Sequence, residues 1–112
     1  MTSRPDALAA LVLDGQECHA LAATRSLGRR GVRVTVASHK RDAMSFASRY
    51  AADRLIAPSP ADAPEAYMTW LLDTLSARRF DATLFFGETS ANVILPHRAA
   101  VQARTGFPIP DL

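Results

Sequence analysis

Three short stretches of this 112-residue sequence gather the side chains best suited to binding a polar molecule: Asp14-Gly15-Gln16-Glu17, Ser38-His39 and Gly87-Glu88-Thr89-Ser90. Carboxylates such as Asp14, Glu17 and Glu88 can orient an amine through charge-assisted hydrogen bonds, with nearby amide, hydroxyl and imidazole groups completing its shell. A plainer role competes at each place. Acids at the start of a helix commonly just cap it, and Thr89 or Ser90 can cap a helix that follows Gly87. No catalytic constellation is evident. Of the three histidines, His19 and His97 pair with no nucleophile at a recognisable spacing, and only His39 falls at a strand end. The single cysteine, Cys18, can form neither an internal disulfide nor a CxxC metal pair, and it reads as a small buried helix residue.

The elements that must position these stretches alternate between strand and helix. Leu8–Leu13 is continuously apolar, as in a strand buried on both faces, and Asp14-Gly15 turns the chain. From Glu17 an alanine-rich helix places Ala20, Ala23 and Leu27 on one face, carries Arg29 and Arg30 in its last turn and stops at Gly31. Valines at 32, 34 and 36 make residues 32–38 a second strand. Residues 39–52 read as a loop containing a short helix anchored by Met44, Phe46 and Tyr50, and residues 53–58 as a third strand that Pro58 ends. Asp62 and Glu65 have capping-box spacing ahead of a helix with Pro64 in its first turn and Tyr67, Trp70, Leu71 and Leu75 as its apolar stripe. A fourth strand over 81–87 leads to a helix that Pro96 interrupts before Gly106. The prolines of Phe-Pro-Ile-Pro, 107–110, allow at most an edge strand or an extended exit.

This order predicts a single α/β domain, Rossmann-like and three-layered, with a short parallel sheet of four to five strands and helices on both faces. Ligands of such sheets meet the carboxyl ends of the strands near the point where strand order reverses, and that is where the three polar stretches fall. A dinucleotide fits poorly. The first turn offers one glycine in place of a GxGxxG array, and the second strand ends Ser38-His39-Lys40 without the acid that would hold a ribose. No GK[ST] phosphate loop occurs, and Asp14 and Glu17 would repel a phosphate at the first helix.

Composition narrows the classes further. The chain is 48% apolar, enough for one core, and its 13 basic against 11 acidic side chains leave a net charge of +2, too balanced for a nucleic-acid groove. Lys40 is the sole lysine; the other basic residues are arginines, placed mostly near helix ends. Asp14 stops the first apolar run well short of a membrane span or signal segment, which predicts a cytoplasmic protein without membrane contact.

"LVLDGQECHALAATRSLGRRGVRVTVAS" at 11–38, "SRYA" at 48–51, the proline region 57–60 and "DATLFFGETSANVIL" at 81–95 together resemble the N-terminal, pre-ATP-grasp domain of ATP-grasp ligases. Within that superfamily the likeness is greatest to proteins related to the carbamoyl-phosphate synthase large chain, and it runs from about Leu8 to Pro110. The resemblance implies an ATP- and Mg²⁺-dependent ligase that converts a carboxylate to an acyl phosphate for attack by an amine or other nucleophile. It also implies that ATP and metal are held by domains following Leu112, so that residues 1–112 carry neither a cofactor nor catalysis of their own. On this likeness the loops at the strand ends wall a substrate pocket, and Arg49 and Tyr50 either brace the adjoining domain or pack beneath the third strand. The expected partners are the chain's own ATP-grasp domains and a second copy in a homodimer. Two other readings stand beside it: a free-standing α/β interaction or regulatory domain, and a small dinucleotide-binding protein.

Overall fold

A computed structural model describes residues 8–105. Its sheet is parallel throughout and four-stranded among the described residues, built from β1 (Ala9–Val12), β2 (Arg33–Ser38), β3 (Ala51–Ile56) and β4 (Ala82–Leu84) in the order β3-β2-β1-β4. Helix α1 (Cys18–Arg29) joins β1 to β2; α2 (Pro64–Ala77) carries the chain from one sheet edge to the other; α3 (Glu88–Ile94) and α4 (Arg98–Gln102) follow β4. The architecture is therefore the α/β, Rossmann-like one that the alternation of elements predicts. The 107–110 segment lies outside the described residues.

The pleat separates two cores. Val12, Val34 and Val36 face α1 with Ala20 and Ala51, while Leu11, Leu13 and Ala37 face Tyr67, Met68, Leu71 and Leu75 of α2 together with Ile94 and Val101. Residues of both sets come from the same strands, which is why β1 reads as an unbroken apolar run. A right-handed crossover from β1 to β2 and a second one running the opposite way, from β3 to β4, must cover opposite faces. Helices on both faces follow.

Local chemistry sets the element ends. Helix α1 stops in a Schellman arrangement: Gly31, at φ +84°, donates to the Gly28 carbonyl at 3.1 Å, and Val32 to Leu27 at 3.1 Å. The buried face of α1 is made by Ala20 and Thr24, with Leu27 packed alongside. Tyr50 packs directly on Gly28, where an added Cβ would meet the tyrosine Cβ at 2.4 Å. It thus packs on α1, and it accepts a hydrogen bond from Arg49 Nη2 at 3.0 Å.

Both predicted side-chain caps are corrected. Helix α2 starts at Pro64 with Ala63 in the cap position, and Ser59, not Asp62, organises the turn before it, its Oγ accepting from the Asp62 amide at 3.2 Å. Gly87 occupies the cap position of α3, so Thr89 and Ser90 lie inside the helix. Pro96 interrupts the last helical stretch as expected, inside a 3₁₀ turn at Leu95–His97 between α3 and α4. Cys18 is exposed at the first position of α1, against the expectation that it is buried. Among the described residues, no helix is long and apolar enough to cross a membrane.

Candidate functional site

Strand order reverses between β1 and β4, so the loops after these strands face each other at the carboxyl edge of the sheet. Asp14 joins them. At φ +60° it takes the left-handed conformation, which a short polar residue tolerates better than most, and it is 6% exposed. Its Oδ2 accepts from the Phe86 and Gly87 amides, both at 2.8 Å, and its Oδ1 accepts from Ser90 Oγ. A carboxylate from the first loop thus fills the cradle of backbone amides where β4 enters α3. It caps α3 from across the sheet, whereas Glu17 takes the cap position of α1 without a side-chain bond.

Gly15 serves by its size. Its φ is not left-handed, but a Cβ there would sit 2.7 Å from Val36 Cγ1 and 3.2 Å from the Ala37 carbonyl oxygen. This closeness lets the Gly15 amide donate to Ala37 at 2.9 Å while its carbonyl accepts from the Ser45 amide at 3.1 Å. The first loop is thereby fastened to β2 and to the 3₁₀ turn at Met44–Ala47.

The second stretch meets the first. Ser38, 3% exposed, donates to Gln16 Oε1 at 2.7 Å and accepts from the Lys40 amide at 3.0 Å. Asp14, Gln16, Ser38, His39 and Tyr67 line a cavity of about 10 Å³ just above the sheet edge. Tyr67 comes from α2 and is 3% exposed, and its phenol oxygen has no hydrogen-bond partner. Burial first, and then the Asp14 charge, push that phenol well above the ordinary tyrosine range; the adjacent Ser90 hydroxyl opposes them weakly, its own bond being to Asp14.

Of the ten residues singled out in the sequence, the structure joins Asp14, Gly87 and Ser90 through one carboxylate and gathers Gln16, Ser38 and His39 beside it. Glu88 and Thr89 are exposed and Glu17 is half-buried, and none of the three has a side-chain hydrogen bond to the other stretches. Tyr67 and Ser45 join the site without having been anticipated. Tyr67 had a signal, a polar tip in an otherwise apolar helical stripe. Ser45 had none, because its place depends on how the 39–50 segment folds back over the first loop.

The Phe86 and Gly87 amides that could receive a phosphate oxygen already donate to Asp14, Lys40 is exposed beyond β2, and Glu17 and Glu88 stand at the two helix starts. Among the described residues no group of three or more His, Cys, Asp or Glu side chains is placed to hold a metal ion. Comparison of the chain with family models, with curated proteins and with solved structures returned no match in any of the three.

Proposed function

We propose that residues 1–112 form the N-terminal, substrate-side domain of an ATP-grasp ligase, one that joins a carboxylate to an amine or related nucleophile through an acyl phosphate. The observation that carries this reading is a meeting of sequences. The two longest stretches that resemble the pre-ATP-grasp domain, 11–38 and 81–95, come together at the point of strand reversal through the Asp14 carboxylate. In this reading the domain contributes shape and polar groups to one wall of the pocket, and phosphoryl transfer belongs to lysines and metal-binding acids elsewhere in the same protein. Its localisation is cytoplasmic, and its partners are the ATP-grasp domains and a second copy of the chain. The groove of about 420 Å³ between α2 and the α3 region, where Met68, Leu72 and Val93 lie among Glu65, Thr69, Asn92 and His97, is one surface for such contacts.

The test at the level of the domain is calorimetry of Mg·ATP titrated into residues 1–112. Binding no tighter than about millimolar is expected where no phosphate clamp is assembled. Micromolar binding of ATP or NAD would overturn this division of roles. A stand-alone α/β interaction or regulatory domain is the second reading. The closure of the amide cradle by Asp14 favours it, since that leaves a cavity of only about 10 Å³ at the strand ends.

A further inference from the structure

The cavity beside Asp14 contains an unpaired group. Tyr67 is 3% exposed and its Oη has no partner, although an unmet buried hydroxyl is costly and uncommon in folded proteins. The space it borders, about 10 Å³, is close to the smallest that admits one water-sized group. Its polar lining is rich in acceptors. Gln16 Oε1 accepts a hydrogen bond from Ser38 and keeps a free lone pair, Asp14 brings a carboxylate, and Tyr67 Oη offers lone pairs beside its own O–H. Two of its lining residues, Gln16 and His39, are half-buried.

We propose that this cavity is a binding site for a primary ammonium group, which donates to Tyr67 Oη and Gln16 Oε1 in the field of the Asp14 carboxylate. The group is close to the cavity in size, donates to the lone pairs of Gln16 Oε1 and Tyr67 Oη, and carries the sign of charge that Asp14 attracts. A carboxylate or phosphate carries the sign of charge that Asp14 repels. The same negative charge already acts on the phenol, since Asp14 helps hold Tyr67 in its neutral form. Nothing in the inference requires the ligase reading, and it stands equally for an interaction domain that recognises an amine.

The test is a nuclear magnetic resonance titration of residues 1–112 carrying ¹³C-labelled tyrosine, with methylammonium chloride, sodium acetate and methanol at matched ionic strength. The chain has two tyrosines, so Tyr50 is an internal control. Methylammonium should shift the Tyr67 ring saturably, with a midpoint no tighter than low millimolar for a ligand of two heavy atoms, and leave Tyr50 in place. Acetate should leave Tyr67 unmoved, and methanol, the neutral isostere, should bind at least about fivefold more weakly. In a folded Tyr67→Phe variant the midpoint, read at the Ser38 and Lys40 amides, should rise by about fivefold or more. No saturable shift, an equal response to acetate or methanol, or an unchanged midpoint in Tyr67→Phe would overturn the proposal.

Discussion

At the scale of single residues, Asp14 has the largest structural consequence of the acids in the three polar stretches. Its carboxylate satisfies two backbone amides and a hydroxyl while its backbone takes the left-handed conformation. Asp14→Ala strands those donors and strains the turn, and should cost about 3 kcal/mol. Asp14→Asn keeps an acceptor and tolerates the backbone, so it should cost roughly half as much, whereas Glu17→Gln and Glu88→Gln should stay within about 0.5 kcal/mol as surface changes. Urea unfolding of the four variants checks the order; equal losses across them would contradict the clamp. The sequence marked Asp14 as a residue of interest but left its partner hidden, because the Phe86 and Gly87 amides lie 72 and 73 positions away. The two tyrosines offer a second check. Arg49 beside Tyr50 lowers that phenol below its usual range, while burial raises Tyr67. Absorbance at alkaline pH should therefore resolve two steps, Tyr50 below about 10 and Tyr67 above it. Tyr67 ionises more readily in the unfolded chain, so its contribution to folding stability falls as pH rises past about 10, whereas Tyr50 acts in the opposite sense. A single step at the unperturbed value would contradict the buried, unpaired phenol.

At the scale of elements, close approach governs what packs. Gly28 lies inside α1, where alanine is intrinsically the better helix former by about 1 kcal/mol, yet an added Cβ would overlap the Cβ, Cγ and Cδ1 atoms of Tyr50 at 2.4–2.5 Å. Gly28→Ala should therefore destabilise the chain by about 1–3 kcal/mol, as overpacking does. Thermal or urea unfolding decides it, and a gain in stability would show that the α1–Tyr50 contact is loose. Why some of this fold was legible follows from the same contrast. The strands, α1 with its Gly31 stop and the break at Pro96 are written in local periodicity and backbone chemistry, which act over a few residues. The capping-box spacing of Asp62 and Glu65 was local too, but the turn at Ser59 won, with the Ala63 amide donating to the Ser59 carbonyl at 2.8 Å. Thr89 and Ser90 were misplaced as caps because the capping group of α3 is Asp14, a residue from another loop. Neither the Gly28–Tyr50 contact nor the seat of Ser45 has a local signature.

At the scale of the whole molecule, strand order β3-β2-β1-β4 turns three separated polar stretches into one surface at the sheet's carboxyl edge. The alternation of elements made that edge foreseeable as the place to search, whereas the division of its residues between scaffold and open cavity depends on long-range hydrogen bonds. Asp14, Gly87 and Ser90 hold the edge together; Gln16, Ser38, His39 and Tyr67 border the space left within it. The proposed ligase role makes this edge one wall of a substrate pocket and assigns reaction chemistry to another part of the protein. The central claim is therefore tested by ADP release from the protein encoded by the whole gene, assayed with Mg·ATP against a panel of carboxylates and amines, beside residues 1–112 alone. The account predicts carboxylate-dependent ADP formation by the whole product and none by residues 1–112. ATP turnover by residues 1–112 themselves, or a whole product that forms no ADP with any carboxylate, would contradict it.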